Sequence, residues 1–227
     1  MRIAILDVAR DPRSRATTIA RVVRLIDAAA GDEPPPDVVV VPAGCDGASG
    51  AAIPPSVGLA DTYRETLAAK ANEWGVYVVA ANRWVDPHRV MTRPIVLDPD
   101  GDVIAGWGAP APVGSPGSET VWAETVMGLI GVSCGGGETH PRVPVGGERR
   151  CCVVSMDVPA AFGSSGTLNS GAGAGEGHGC GVRVHFGAAM DGSAGLITNP
   201  GLAATVIHRR EHPPAGTVFT VEDSVNA

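Results

Sequence analysis

Over its first hundred residues the chain alternates short, continuous apolar runs with segments of helical period, and this alternation constrains the fold more than any other feature. Arg2–Val8 is an apolar run that reads as a strand leaving through Asp11-Pro12. Ser14 then stands where a helix cap is needed, ahead of Ile19, Val22, Val23 and Ile26 at helical spacing, and Gly31 closes the segment. Residues 37–41 (DVVVV) have no polar alternation, as expected of a strand buried on both faces, and Pro42 ends it. Residues 59–74 read as a second helix stopped at Gly75, and 76–81 as another buried strand. Ile95-Val96-Leu97, the turn Asp98-Pro99-Asp100-Gly101 and Val103-Ile104 then form a hairpin. Strands alternating with helices, each strand apolar on both sides, predict an α/β fold in layers.

The second half follows the same order. Residues 129–134 and 151–155 read as buried strands, and 182–186 as the counterpart of 76–81. Leu196-Ile197, Asn199-Pro200-Gly201 and 203–207 repeat the earlier hairpin, and 217–221 adds a last strand. The repeat implies two similar halves packed face to face within a single domain spanning 1–227. The halves differ where helices are due. Residues 135–147 are too rich in Gly and Pro for a long helix, and 163–181 (GSSGTLNSGAGAGEGHGCG) concentrates the glycine excess. Each interior glycine costs a helix about 1 kcal/mol relative to Ala. These stretches are expected to be loops, 163–181 a mobile one, leaving shortened helices in the second half. A sheet face thinned in this way calls for cover by another subunit, so a homodimer or larger homo-oligomer is expected.

Charge and special residues narrow the chemistry. The formal net charge of −7 at pH 7, without clustered Lys/Arg beyond Arg149-Arg150 and Arg209-Arg210, argues against nucleic acid as a partner. No apolar run is long enough to cross a bilayer, and Asp7 interrupts the N-terminal run too early for a signal peptide, so a cytoplasmic protein without a membrane partner is expected. Five cysteines in that setting read as thiols. Adjacent Cys151-Cys152 point to opposite faces of a strand, and His178, Cys180 and His185 do not complete a four-ligand frame, so no metal and no cofactor are expected. Gly173-Ala174-Gly175-Glu176-Gly177 lacks the Lys-Ser/Thr of a phosphate loop. Lys70 is the chain's single lysine, against sixteen arginines. Any chemistry that needs a lysine must use it.

The order RIAILDV, DVVVVP, AKANEWGVYVVAA, PIVLDPDGDVIAGW, GLIGVSC, RRCCVVSMDVP and DGSAGLITNPG resembles the carbon–nitrogen hydrolase, or nitrilase, superfamily over nearly the whole chain. The resemblance implies a four-layer α–β–β–α sandwich, usually dimerised through a helical layer. It also implies hydrolysis of nitriles, amides or N-carbamoyl groups by a Cys nucleophile, a Glu base and a Lys that stabilises the oxyanion.

Residue by residue, that implied chemistry is incomplete. The Glu follows the proline that closes the second strand, and here Pro42 is followed by Ala43, whose methyl group takes no proton. Asp46 is the nearest acid, and an aspartate there equally serves to cap a loop. The Lys follows the hairpin, where this chain has Gly106-Trp107-Gly108-Ala109. Arg83, Arg89 and Arg93 are expected in loops, none at the family position, and Lys70 is expected on the surface of its helix. The nucleophile falls four residues beyond the second glycine of Gly128-Leu129-Ile130-Gly131, at Gly135, so Cys134 comes one residue short. A slip of one residue turns a strand side chain to the opposite face. The acids near Cys134 in sequence include Glu138. Two functions follow from this pattern. One is a nitrilase-like scaffold or binding protein without, or nearly without, hydrolysis. The other is a divergent amidase- or nitrilase-type hydrolase acting on a small amide or nitrile through Cys134, with Asp46 or Glu138 as base.

Overall fold

The computed structural model describes residues 1–9, 11, 14–45, 57–86, 89–106, 120–134, 149–156, 182–189 and 205–222. β1 (Arg2–Val8), β2 (Val38–Val40) and β3 (Tyr77–Asp86) pair in parallel. β4 (Arg89–Leu97) and β5 (Val103–Gly106) follow antiparallel. β10 (Thr205–His212) and β11 (Gly216–Glu222) join the far side of β1, giving a seven-stranded sheet in the order β10-β11-β1-β2-β3-β4-β5. A second sheet has the order β6-β7-β8-β9, from Thr120–Thr125, Gly128–Cys134, Arg149–Met156 and Val182–Ala189.

Two helices cover one face of the first sheet. α1 (Arg15–Ala30) starts at Ser14, whose hydroxyl accepts from the Thr17 backbone N–H at 3.1 Å. Its buried face, Val22, Leu25, Ile26 and Ala29, packs with Tyr63, Leu67 and Ala71 of α2 (Val57–Trp74) against Leu6, Val39, Val41, Val78, Ile95 and Leu97. Gly75, at φ 63°, turns the chain from α2 into β3, a conformation that disfavours any side chain.

The opposite face of the same strands meets the second sheet. Ile3, Val38, Val40, Val79, Ala81 and Val96 interleave with Ala123, Ile130, Val132, Cys152, Val154 and Met156. Alternate residues of each central strand thus enter different cores, which is why these strands carry no polar alternation. The fold is α/β: helices on a mixed seven-stranded sheet, which packs on a mixed four-stranded one.

Several expectations need correction. The residues around Arg83, Arg89 and Arg93 are strand, not loop, because β3 and β4 stay paired out to Asp86 opposite Arg89. β6 is a strand beyond those the sequence predicts, although TVWAET alternates, with Val121 and Ala123 turned towards the sheet interface. Residues 182–186 are not the counterpart of 76–81: β3 runs parallel to β2, whereas β9 runs antiparallel to β8. A parallel return needs a crossover, usually a helix, which the glycine-rich 163–181 is poorly suited to build. The two halves do not each form one layer either, since the second half contributes β10 and β11 to the first sheet. The hairpin expected around Asn199-Pro200-Gly201 and the loops 135–147 and 163–181 lie outside the described residues.

The interface between the sheets should be the least replaceable part of the molecule. Ile130→Ala, at a fully buried position, is expected to lower unfolding free energy by about 2–5 kcal/mol. Val126→Ala, at a position 93% exposed in the β6–β7 turn, is expected to stay within about 0.5 kcal/mol. Urea denaturation of the two variants checks the pair.

Candidate functional site

β7 carries the candidate thiol at its last residue. Ile130, Val132 and Cys134 alternate onto the sheet interface, while Leu129 faces outward with Val153 and Trp122. Cys134 is half-buried and packs against the inter-sheet cluster. Its side chain therefore lies on the interior face. Its neighbour Ser133 points the other way and pairs with Ser155 across β7–β8, Oγ to Oγ 3.1 Å.

Ala43 lies in the same inter-sheet cluster and is fully buried. The chain reaches it by prolonging β2: the Val41 N–H donates to the Val79 carbonyl at 2.8 Å before Pro42 ends the pairing. Gly44, at φ 83°, then redirects the backbone, and Cys45 is buried in the other core, among the helices. The residue after the closing proline is thus directed into the layer that Cys134 borders. The hydrophobic members of that layer are aliphatic residues, Tyr77, Met1, Met127, Met156 and the thiols of Cys134 and Cys152. Among the residues whose burial is described, Thr18 and Thr220 are buried polar residues, and Arg2, Arg15, Arg93 and His212 also carry buried side-chain nitrogens.

Lys70 sits elsewhere. Its Nζ lies 2.7 Å from Asp27 Oδ1 and 2.7 Å from Glu73 Oε2, in the helical layer on the far face of the seven-stranded sheet. Asp27 Oδ1 also accepts from the Trp74 indole N–H at 2.8 Å, so one carboxylate ties α1 to two residues of α2. The lysine's side chain is only 17% exposed, more enclosed than a surface lysine. Its hydrogen bond to Asp27, followed by that to Glu73, raises its pKa above the ordinary 10.5. Asp27 is 43 positions away in sequence, and no local pattern pairs it with Lys70.

Asp46, Trp107, Gly135 and Glu138 lie outside the described residues, as do His178 and Cys180. Cys45, Cys134 and Cys152 are not in disulfides. Among the described residues no three His, Cys, Asp or Glu side chains converge as a metal site would require, and no helix is long and apolar enough to cross a membrane.

No protein-family model and no curated protein sequence matches the chain. Solved structures do. A double mutant of the amidase from Nesterenkonia sp. AN1, in complex with acrylamide, is 17% identical over 60% of this chain and 55% of that one, with a TM-score of 0.48. A single cysteine-to-alanine mutant of the same amidase, from the nitrilase superfamily, gives 16% identity, the same coverage and a TM-score of 0.48. A carbon–nitrogen hydrolase from Helicobacter pylori G27 is 18% identical over 60% of this chain and 51% of that one, with a TM-score of 0.47. The match spans about half the length of these structures.

The raised pKa of Lys70 has a definite consequence for stability. Its ion pairs contribute fully below the ordinary value of 10.5 and are lost as pH rises through the higher folded-state value. Lys70→Met should therefore lack that alkaline decline, while the titrating groups common to both proteins cancel. Unfolding free energies of the two proteins from pH 8 to pH 12, compared pairwise, check this; an unchanged difference would contradict it.

Proposed function

We propose that the chain is a divergent relative of the carbon–nitrogen hydrolases that retains the layered scaffold for binding or assembly and hydrolyses substrates weakly or not at all. One observation carries this reading: the only lysine in the sequence is engaged by Asp27 and Glu73 behind the first sheet, while Cys134 borders the layer in front of it. Ala43 supports it further, since a buried methyl group stands where the motif order calls for the base. Loss of an oxyanion donor costs about 10²–10³ in rate, and loss of general base catalysis about 10²–10⁴. Together these remove about 10⁴–10⁷ of such an enzyme's rate enhancement. The finer architecture belongs to the same proposal: a single domain with a fourth, helix-poor layer over the outer face of the second sheet, in a cytoplasmic homodimer. A small amide or nitrile is the ligand class the motif order suggests.

Purified protein incubated with a panel of small amides and nitriles is expected to release no more ammonia or amine than Cys134→Ala. Turnover well above background and abolished by Cys134→Ala would overturn the proposal.

A second reading is favoured by the inward direction of Cys134. In a divergent hydrolase its sulfur would attack the carbonyl carbon, with Asp46 or Glu138 taking the thiol proton and returning it to the leaving amine. Water would then cleave the thioester. An arginine or backbone N–H groups would stabilise the oxyanion. The rate of Cys134 alkylation by a small chloroacetamide, followed by mass spectrometry, separates the two. Reaction faster than that of a free model thiol at the same pH supports the hydrolase, and an equal or slower rate supports the scaffold.

A further inference from the structure

Among the described residues β10 forms one edge of the seven-stranded sheet, and part of that edge is bounded on both sides. A register shift between Val206 and His208 interrupts its pairing with β11 at one end. At the other end Pro213-Pro214 follows directly, and proline has no N–H to continue a ladder. What remains is a five-residue stretch, His208-Arg209-Arg210-Glu211-His212, with Arg209, Arg210 and Glu211 exposed.

Charges on an edge strand usually deter pairing, because a second copy meets like charge. The order of these charges makes one register an exception. When two copies run antiparallel about Arg210, Arg209 of each stands directly opposite Glu211 of the other, twice over. His208 and His212 stand opposite each other, and the two Arg210 residues face one another. Arg209 and Glu211 share one face of the strand, their side chains 59% and 66% exposed, and already attract each other at 3.1 Å within one copy. Arg209 also lies over the Phe219 ring at 5.6 Å, which fixes it on that face. Arg210 points to the other face, where Asp32, just beyond the end of α1, holds it at 2.6 Å. That carboxylate offsets the one like-charge pair in the register. Moving the two-fold axis to Arg209 or to Glu211, the neighbouring symmetric registers, loses the double Arg–Glu match.

We propose that β10 is a self-association edge: a second copy of this chain pairs antiparallel through residues 208–212, centred on Arg210, and continues the seven-stranded sheet across a two-fold axis. Backbone hydrogen bonds supply the attraction, and the exchanged Arg209–Glu211 pairs fix the register. The inference rests on β10 alone and is independent of whether Cys134 reacts.

Sedimentation of the full chain at physiological salt tests it. Wild type is expected to show a concentration-dependent dimer. Arg209→Glu or Glu211→Arg alone sets like charges opposite each other at two places and is expected to weaken the dimer about tenfold or more. The double variant Arg209→Glu/Glu211→Arg restores opposite charges and is expected to recover dimerisation. Thermal unfolding midpoints near wild type, as befits exposed side chains, verify that all three variants are folded. A chain that stays monomeric, a dimer indifferent to the single reversals, or a folded double variant that fails to recover would each overturn the proposal.

Discussion

Everything in this structure depends on the first sheet being apolar on both faces. Val38–Val40, with every residue buried, can exist only if one side is covered by helices and the other by a second sheet. The helices meet the first demand through the stripe of α1 and the inner face of α2. The second demand brings β6–β9 against the sheet, and the hydrophobic members of the layer between are aliphatic side chains, Tyr77, methionines and thiols. A carboxylate placed in such a layer costs several kcal/mol unless a cation or several donors meet it.

That cost bears on position 43. A glutamate at position 43 would enter the inter-sheet layer, and its natural counter-charge would be a lysine on the same side. The only lysine is committed to Asp27 and Glu73 on the other side of the sheet. Without it, a glutamate would be left as a buried charge lacking its partner, whereas alanine simply packs. The thiol of Cys134 is a small, nearly apolar group that such a layer tolerates.

The parts of the fold visible in the sequence are those set by local physics. Burial on both faces turns β2 and the first part of β3 into unbroken apolar runs, and β1 into one interrupted only at the exposed Asp7. Ser14 and Gly31 bracket α1, and Asp98 caps the β4–β5 turn by accepting from the backbone N–H groups of Asp100 and Asp102. Pairing is what the sequence hides. The direction of β9 and the recruitment of β10 and β11 by β1 depend on which strands meet, and periodicity within a strand does not encode that. β6 is masked by the Gly/Pro-rich residues before it. For the site, motif order points to Ala43 and Cys134, but only strand alternation seen in three dimensions puts Cys134 on the interior face. The Lys70–Asp27 contact joins two helices and leaves no trace in either one's sequence.

The most direct test of this account is a crystal structure of the chain after Cys134 has reacted with iodoacetamide, which leaves a methylene carboxamide on the sulfur that reports which groups surround it. The account predicts that side chains within about 3.5 Å of the modified sulfur and its amide are apolar, with any polar contact coming from backbone groups. An aspartate or glutamate beside the sulfur together with a cationic side chain on the amide oxygen would contradict it.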